Sequence, residues 1–174
     1  MTLFTRQHRV ASKLVYQGQI INLRVDDVST NNNSVTREVI EHIGGVVIAC
    51  QPEPSLVVLV KQYRYSIDRD LIELPAGRLD EGENPLSAAK RELKEETGYQ
   101  AKAWHQLVQM YSAPGFCDEL LYLYQAREVT LAEKTPDHDE ETEVIVIPVK
   151  EAWHKVLNGQ ICDAKTIAGL AMLI

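Results

Sequence analysis

The chain has 174 residues, 45% of them apolar, with a formal net charge of −7 and a pI near 5.2. That is enough apolar material for one buried core, and too acidic a balance for a protein that tracks a phosphate backbone, so a disordered chain and a nucleic-acid binder are both excluded. A phosphate-bearing small molecule is still allowed, because bound divalent cations invert the local sign.

In chain order, the first elements read as strands. "INLRVDDV" and "TREVIEH" alternate apolar and polar side chains on either side of the turn cluster "STNNNS", which predicts a small antiparallel sheet over about residues 12–43. "GGVVIACQ" and "SLVVLVKQYRY" are unbroken β-branched runs, expected as strands buried on both faces. "DLIELPAG" is another strand, stopped by Pro75 and Gly77. A helix is predicted from Pro85, with Asn84 as its N-cap and Gly98 in the left-handed position past its end. Leu86, Ala89, Leu93 and Thr97 form its apolar face, so Glu92, Glu95 and Glu96 are expected mostly off the packed stripe. Strands follow in "QLVQMYS" and "ELLYLYQAREV", then an acidic loop "LAEKTPDHDEETE", a strand "VIVIPV" and a helix "VKEAWHKVLNGQ". A last helix, "AKTIAGLAMLI", is capped by Asp163 and expected to reach Ile174. Strands and helices interleaved around a mixed sheet give the class α/β or α+β.

Cys50, Cys117 and Cys162 are too few and too far apart for a disulfide framework or a zinc site, so reduced, buried thiols are expected. No apolar run reaches the roughly 18 residues of a membrane span, and "MTLFTRQHRVASKL" lacks the apolar centre of a secretory signal. A cytoplasmic protein without membrane contact is expected.

Glu92, Glu95 and Glu96 crowd about one helical turn, where like charges repel by a few tenths of a kcal/mol. Either the face is wet and neutralised by Lys90, Arg91 and Lys94, or a cation sits there. The surroundings favour the second reading. Gly77, five residues, Glu83, seven residues, then Arg91-Glu92-Leu93, Glu95-Glu96, Gly98 and Tyr99 resemble the Nudix box. Seven of these positions match by identity at fixed spacing, a coincidence on the order of 10⁻⁸ at any one start. Tyr99 stands where the family pattern usually has an aliphatic residue, which concerns packing alone. The chemistry needs this composition: hard oxygen ligands hold Mg²⁺, and bound cations neutralise phosphoryl oxygens and acidify a water.

The resemblance implies a hydrolase acting on a nucleoside diphosphate derivative. In it Glu92, Glu96 and the backbone carbonyl of Ala76 would bind Mg²⁺ (with Mn²⁺ as a substitute). Glu95 would lie beside them, Arg91 would orient one glutamate, and Glu83 would hold the loop or support the helix N-terminus. "TREVIEH", "VKQYRY" with "LIELPAG", "YSAPGFCDE" and "DAKTIAGL" are similar to the ADP-ribose and nucleotide-sugar pyrophosphatase branch, so the likeness covers most of the chain. Pro114 stands fifteen residues past Tyr99, about where that branch has a marker proline, although Pro-Gly alone is equally a plain turn. By position, Arg37 and Glu38 would reach the nucleotide, commonly from a partner subunit. Arg64 would meet phosphate or ribose with its fixed fork of donors. Tyr16 would stack on a base or fill the core, and Glu73 would bind a ribose hydroxyl or end its strand. The general base is expected in "PDHDEETEV" at Glu140, with Glu141 and Glu143 as neighbours. The competing view is a solvated acidic loop.

The resemblance thus implies a Nudix-fold α/β/α sandwich around a mixed sheet. An antiparallel β appendage would occupy residues 1–43, exchanged between the subunits of a homodimer, and the hydrolase domain residues 44–174. The expected reaction is Mg²⁺-dependent hydrolysis of ADP-ribose to AMP and ribose 5-phosphate. A GDP-mannose-type nucleotide sugar or a dinucleotide is the alternative substrate. A non-catalytic ADP-ribose sensor is a further alternative, but such modules usually lose box glutamates that are all present here.

Overall fold

The computed structural model describes residues 4–132 and 142–174. The chain divides into two compact units, Met1–Gly44 with Tyr111–Leu120, and Gly45–Met110 with Leu121–Ile174.

The first unit is an antiparallel sheet in the order β1 (Arg9–Gln17), β2 (Ile21–Ser29), β3 (Ser34–His42). The turn cluster closes β2 onto β3 through the Thr30 amide donating to the Asn33 carbonyl at 2.8 Å. Residues 111–120 dock on β3: the Ile40 amide donates to the Phe116 carbonyl at 2.7 Å, and the His42 amide to Asp118 Oδ1 at 2.9 Å. That return segment is not legible as part of the sheet, since its pairing is nonlocal. Asp26 is buried and accepts from Ser12 Oγ at 2.6 Å and Arg24 Nε at 3.1 Å. Burial pushes its carboxyl up, and these hydrogen bonds outweigh burial and hold it below the usual range. β1 is exposed along its whole length.

The second unit holds β4 (Gly45–Cys50), β5 (Leu56–Arg64), β6 (Arg69–Glu73), β7 (Ala76–Arg78), most of β8 (Tyr99–Tyr111) and β9 (Leu120–Leu131), and β10 (Thr142–Pro148). One sheet runs β7-β4-β9-β8, with β4 parallel to β9 and antiparallel to β7; the other runs β10-β5-β6, all antiparallel. Three helices accompany them: α1 (Pro85–Thr97), α2 (Val149–Leu157) and α3 (Ala164–Ala171). Every residue of β4 is buried, as its unbroken apolar run predicts. Its alternation serves two layers. Val46, Ile48 and Cys50 join Ala88, Ala89 and Leu93 of α1, whereas Val47 and Ala49 join Ala152 of α2 and Leu170 of α3. Each fully buried Val, Leu or Ile there contributes about 1.5–3 kcal/mol.

The α1 ends follow the sequence. Asn84 Oδ1 accepts from the Leu86 and Ser87 amides at 3.0 and 3.3 Å, and Gly98 takes φ 74°. α3 stops at Ala171 instead of reaching Ile174, because the Met172 and Leu173 amides turn back three residues, to the Gly169 and Leu170 carbonyls. Two of the three cysteines also depart from expectation. Only Cys50 is buried, its thiol pushed up to about 12 by burial, whereas Cys117 is half-buried and Cys162 exposed; all three are free. Among the described residues no helix is long and apolar enough to cross a membrane.

Candidate functional site

Strand β7 lies over the acidic turn of α1, and this contact changes the reading of that helix face. Glu92 and Glu96 are 8% and 3% exposed, so they do not form the wet face that charge patterning alone allows. Their burial depends on β7. A Cβ on Gly77 would fall inside the Glu92 carboxyl group, so only glycine leaves that space. The Ala76 amide donates to Glu96 Oε2 at 3.0 Å, and Thr142 Oγ1 donates to the Glu96 carbonyl at 3.0 Å. Glu95 is more open, with a quarter of its side chain exposed.

Arg91 gathers three glutamates, not the single partner expected. Nη1 donates to Glu92 Oε1 at 2.7 Å and Glu95 Oε2 at 3.0 Å. Nε and Nη2 donate to the two Glu83 oxygens at 3.2 and 2.9 Å, and Nη2 also reaches the Arg78 carbonyl at 3.1 Å. Glu83 in turn accepts from the Asp80 amide at 3.0 Å, which holds the loop before α1. The hydrogen bond to Glu83 is the main reason that Arg91 is held above its ordinary value, and the same bond holds Glu83 below its own. One guanidinium therefore offsets the repulsion that the sequence raised.

A second ionic group stands on β5, β6 and α3. Arg64 Nε and Nη2 donate to Glu73 Oε1 and Oε2, both at 2.7 Å. Glu73 is 1% exposed and also accepts from Lys165 Nζ, which pairs with Asp163 Oδ1 at 3.0 Å. Burial alone would raise the Glu73 carboxyl; the hydrogen bonds from Arg64 and the charge of Lys165 outweigh it and hold it low. The Glu96 charge also acts on Arg64. Glu73 thus faces two cations, which neither sequence reading of it included. Nothing in the pattern of "DAKTIAGL" marks Lys165, because its partner Glu73 lies 92 residues away in sequence.

Arg37, Glu38 and Pro114 come together in the first unit, lining a cavity of about 250 Å³ with Phe4, Arg24 and Asp118. Arg37 lies over the Phe4 ring, 5.9 Å from its centroid. Tyr16 does not line that cavity. It is an exposed side chain on β1, so the core reading of it fails. Glu140 and Glu141 lie outside the described residues. Glu143 is exposed near the start of β10, opposite Lys61 of β5.

Among the described residues no three acidic, His or Cys side chains stand in a metal-holding arrangement. Arg91 takes Glu92 and Glu95, and the Ala76 amide takes one oxygen of Glu96. The donor chemistry nonetheless fits a hard divalent cation: two buried carboxylates, four residues apart, beside a glycine backbone.

A model of the NUDIX domain matches residues 41–170. The chain belongs to the NUDIX family. Among NUDIX relatives, it is 35% identical over 167 residues to an ADP-ribose pyrophosphatase of Bacillus subtilis (strain 168), covering 94% of this chain and 90% of the relative. It is 40% identical over 165 residues to an ADP-ribose pyrophosphatase of Mycobacterium tuberculosis (strain ATCC 25618 / H37Rv), covering 92% and 80%. A GDP-mannose pyrophosphatase of Cronobacter sakazakii (strain ATCC BAA-894) is 37% identical over 134 residues, covering 71% and 69%. The fold agrees with a crystal structure of an ADP compounds hydrolase at a TM-score of 0.83, covering 95% of this chain and 90% of that one at 19% identity. That agreement supports the mixed α/β/α NUDIX architecture.

Proposed function

We propose that this NUDIX protein hydrolyses the diphosphate bond of ADP-ribose, giving AMP and ribose 5-phosphate with Mg²⁺ (or Mn²⁺ in its place). The observation that carries this reading is the buried pair Glu92 and Glu96 under the Gly77 backbone, within a box that keeps all its glutamates. Two near-full-length relatives named as ADP-ribose pyrophosphatases support the substrate. Intact box glutamates favour catalysis over sensing.

Glu92, Glu96 and the Ala76 carbonyl would hold the cation, which when bound supplies charge neutralisation and a water of lowered pKa. Arg91 holds Glu92 and Glu95 close together on α1 and would orient Glu92 toward the cation. Arg64 binds the diphosphate with the Nη1 edge that Glu73 leaves open. Arg37, Glu38 and Pro114 bind the nucleoside, and Glu140 takes the proton of the attacking water. Assembly as a homodimer is supported by β1, which carries Val10, Leu14, Val15 and Tyr16 exposed. A reducing, cytoplasmic setting suits the three free cysteines.

The Cronobacter relative favours one second reading, hydrolysis of GDP-mannose by the same chemistry. The test is kcat/KM for ADP-ribose, GDP-mannose and ATP with Mg²⁺ present. The highest value is expected with ADP-ribose. A higher value with GDP-mannose keeps the mechanism and replaces the substrate; no turnover of any of them rejects the function.

A further inference from the structure

Glu73 raises a question that strand termination does not answer. A buried carboxylate needs one counter-ion, and Arg64 already supplies it through two hydrogen bonds of 2.7 Å. The fold nevertheless brings a second cation, Lys165, to the same Oε2. Ordering a lysine side chain costs up to about 2 kcal/mol of rotamer freedom. Lys165 is held at 17% side-chain exposure by both Glu73 and Asp163.

The rest of "DAKTIAGL" fixes where that lysine stands. Asp163 Oδ2 accepts from the Thr166 amide and hydroxyl at 2.9 and 2.6 Å, which caps α3. Thr166 Oγ1 accepts from the Leu74 amide at 2.8 Å, next in the chain to Glu73. A Cβ on Gly169 would overlap Leu74 Cδ1, so glycine lets α3 lie against that residue. These contacts pin the first turn of α3 to the end of β6. None of these contacts uses the Lys165 side chain, so they do not explain the lysine.

Charge does. Arg64, Glu73 and Asp163 alone would sum to −1 and would turn away an anionic ligand. Lys165, paired with both carboxylates, brings the group of four to zero. Arg64 is about one-third exposed, and its Nη1 makes no hydrogen bond to a described residue. The open Nη1 edge of Arg64 therefore belongs to a group that Lys165 keeps from a net negative charge.

The geometry points to Lys165 as a positioning residue for diphosphate binding: it fixes Glu73 and offsets its charge, so that Arg64 meets the substrate as an oriented guanidinium in a group without net negative charge. This rests on the proposed role of Arg64 in binding the diphosphate. Lys165 acts through Glu73 and Arg64 and should affect binding rather than the chemical step.

The test compares wild type with Lys165→Met, which keeps the stem and removes the charge, and Lys165→Arg, which keeps the charge. Steady-state kinetics with ADP-ribose, or with GDP-mannose if that is the substrate, should show KM raised about tenfold in Lys165→Met with kcat within about twofold, and near wild-type values in Lys165→Arg. In ¹⁵N-resolved NMR, solvent exchange of the Arg64 Nε–H should be faster in Lys165→Met. An unchanged KM in an active Lys165→Met enzyme overturns the inference, as does a loss confined to kcat. If wild type turns over neither substrate, the functional reading has failed on its own. The positioning claim is then read from Arg64 exchange, and an unchanged rate overturns it. Should Lys165→Met not fold, Lys165→Gln carries the same comparison.

Discussion

Gly77 and Glu96 show how one residue's role depends on a neighbour far away in sequence. Gly77 matters for the atom it lacks. Gly77→Ala should displace the Glu92 carboxylate or β7, costing about 1–3 kcal/mol of stability and most of the turnover, as read by thermal melting and product release. A variant with wild-type turnover would show that Glu92 need not lie where it does. Glu96→Gln keeps shape and removes charge, so its fold should survive. Its turnover should fall by more than the roughly 10–100-fold typical of changes one shell further from a metal. At this scale the sequence named the glutamates through their spacing. It did not reveal that two of them are buried, because that burial is made by β7, which reads only as the end of a strand. It also underestimated Arg91, whose bonds to Glu83 cross the loop before α1 and have no periodic signal.

At the scale of elements, α1 was the most legible part of the chain, because Asn84, Pro85 and Gly98 are local signals with local causes. The start of α3 was legible for the same reason. The ion pair it makes was not, because Lys165 meets Glu73 across 92 residues. This ion group predicts a pH dependence. The Glu73 carboxyl is held below its ordinary 4.5 in the folded protein. The unfolded state therefore binds the proton first, and the stabilisation is complete above about 4.5 and lost as pH falls through the folded value. Glu73→Gln should lower stability at neutral pH by about 3 kcal/mol, the low end for a broken buried pair because Arg64 is partly solvated. It should also show a shallower fall in melting temperature below pH 4.5 than wild type. Asp26 and Glu83 titrate in the same direction, so the difference between the two proteins is the quantity to read. Equal slopes would remove Glu73 from the acid response.

For the whole molecule, the interleaving of strands and helices was enough to anticipate a helix-flanked mixed sheet. The alternation of β4 between two apolar clusters is the physical reason. What the sequence could not supply was the membership of residues 111–120 in the first unit, since one short bridge to β3 has no periodic signal. The exposed β1 predicts a dimer: sedimentation should give twice the 19.6 kDa chain mass, and a monomer at micromolar concentration would contradict the proposed assembly. A chain of net charge −7 that handles a diphosphate should depend wholly on added cation. The most direct measurement is therefore AMP release from ADP-ribose by the wild-type protein, with Mg²⁺ and then with chelator. Steady release is expected, stopping on chelation and resuming when Mg²⁺ is restored. Release indifferent to chelation, or none in saturating Mg²⁺, would contradict the proposed function.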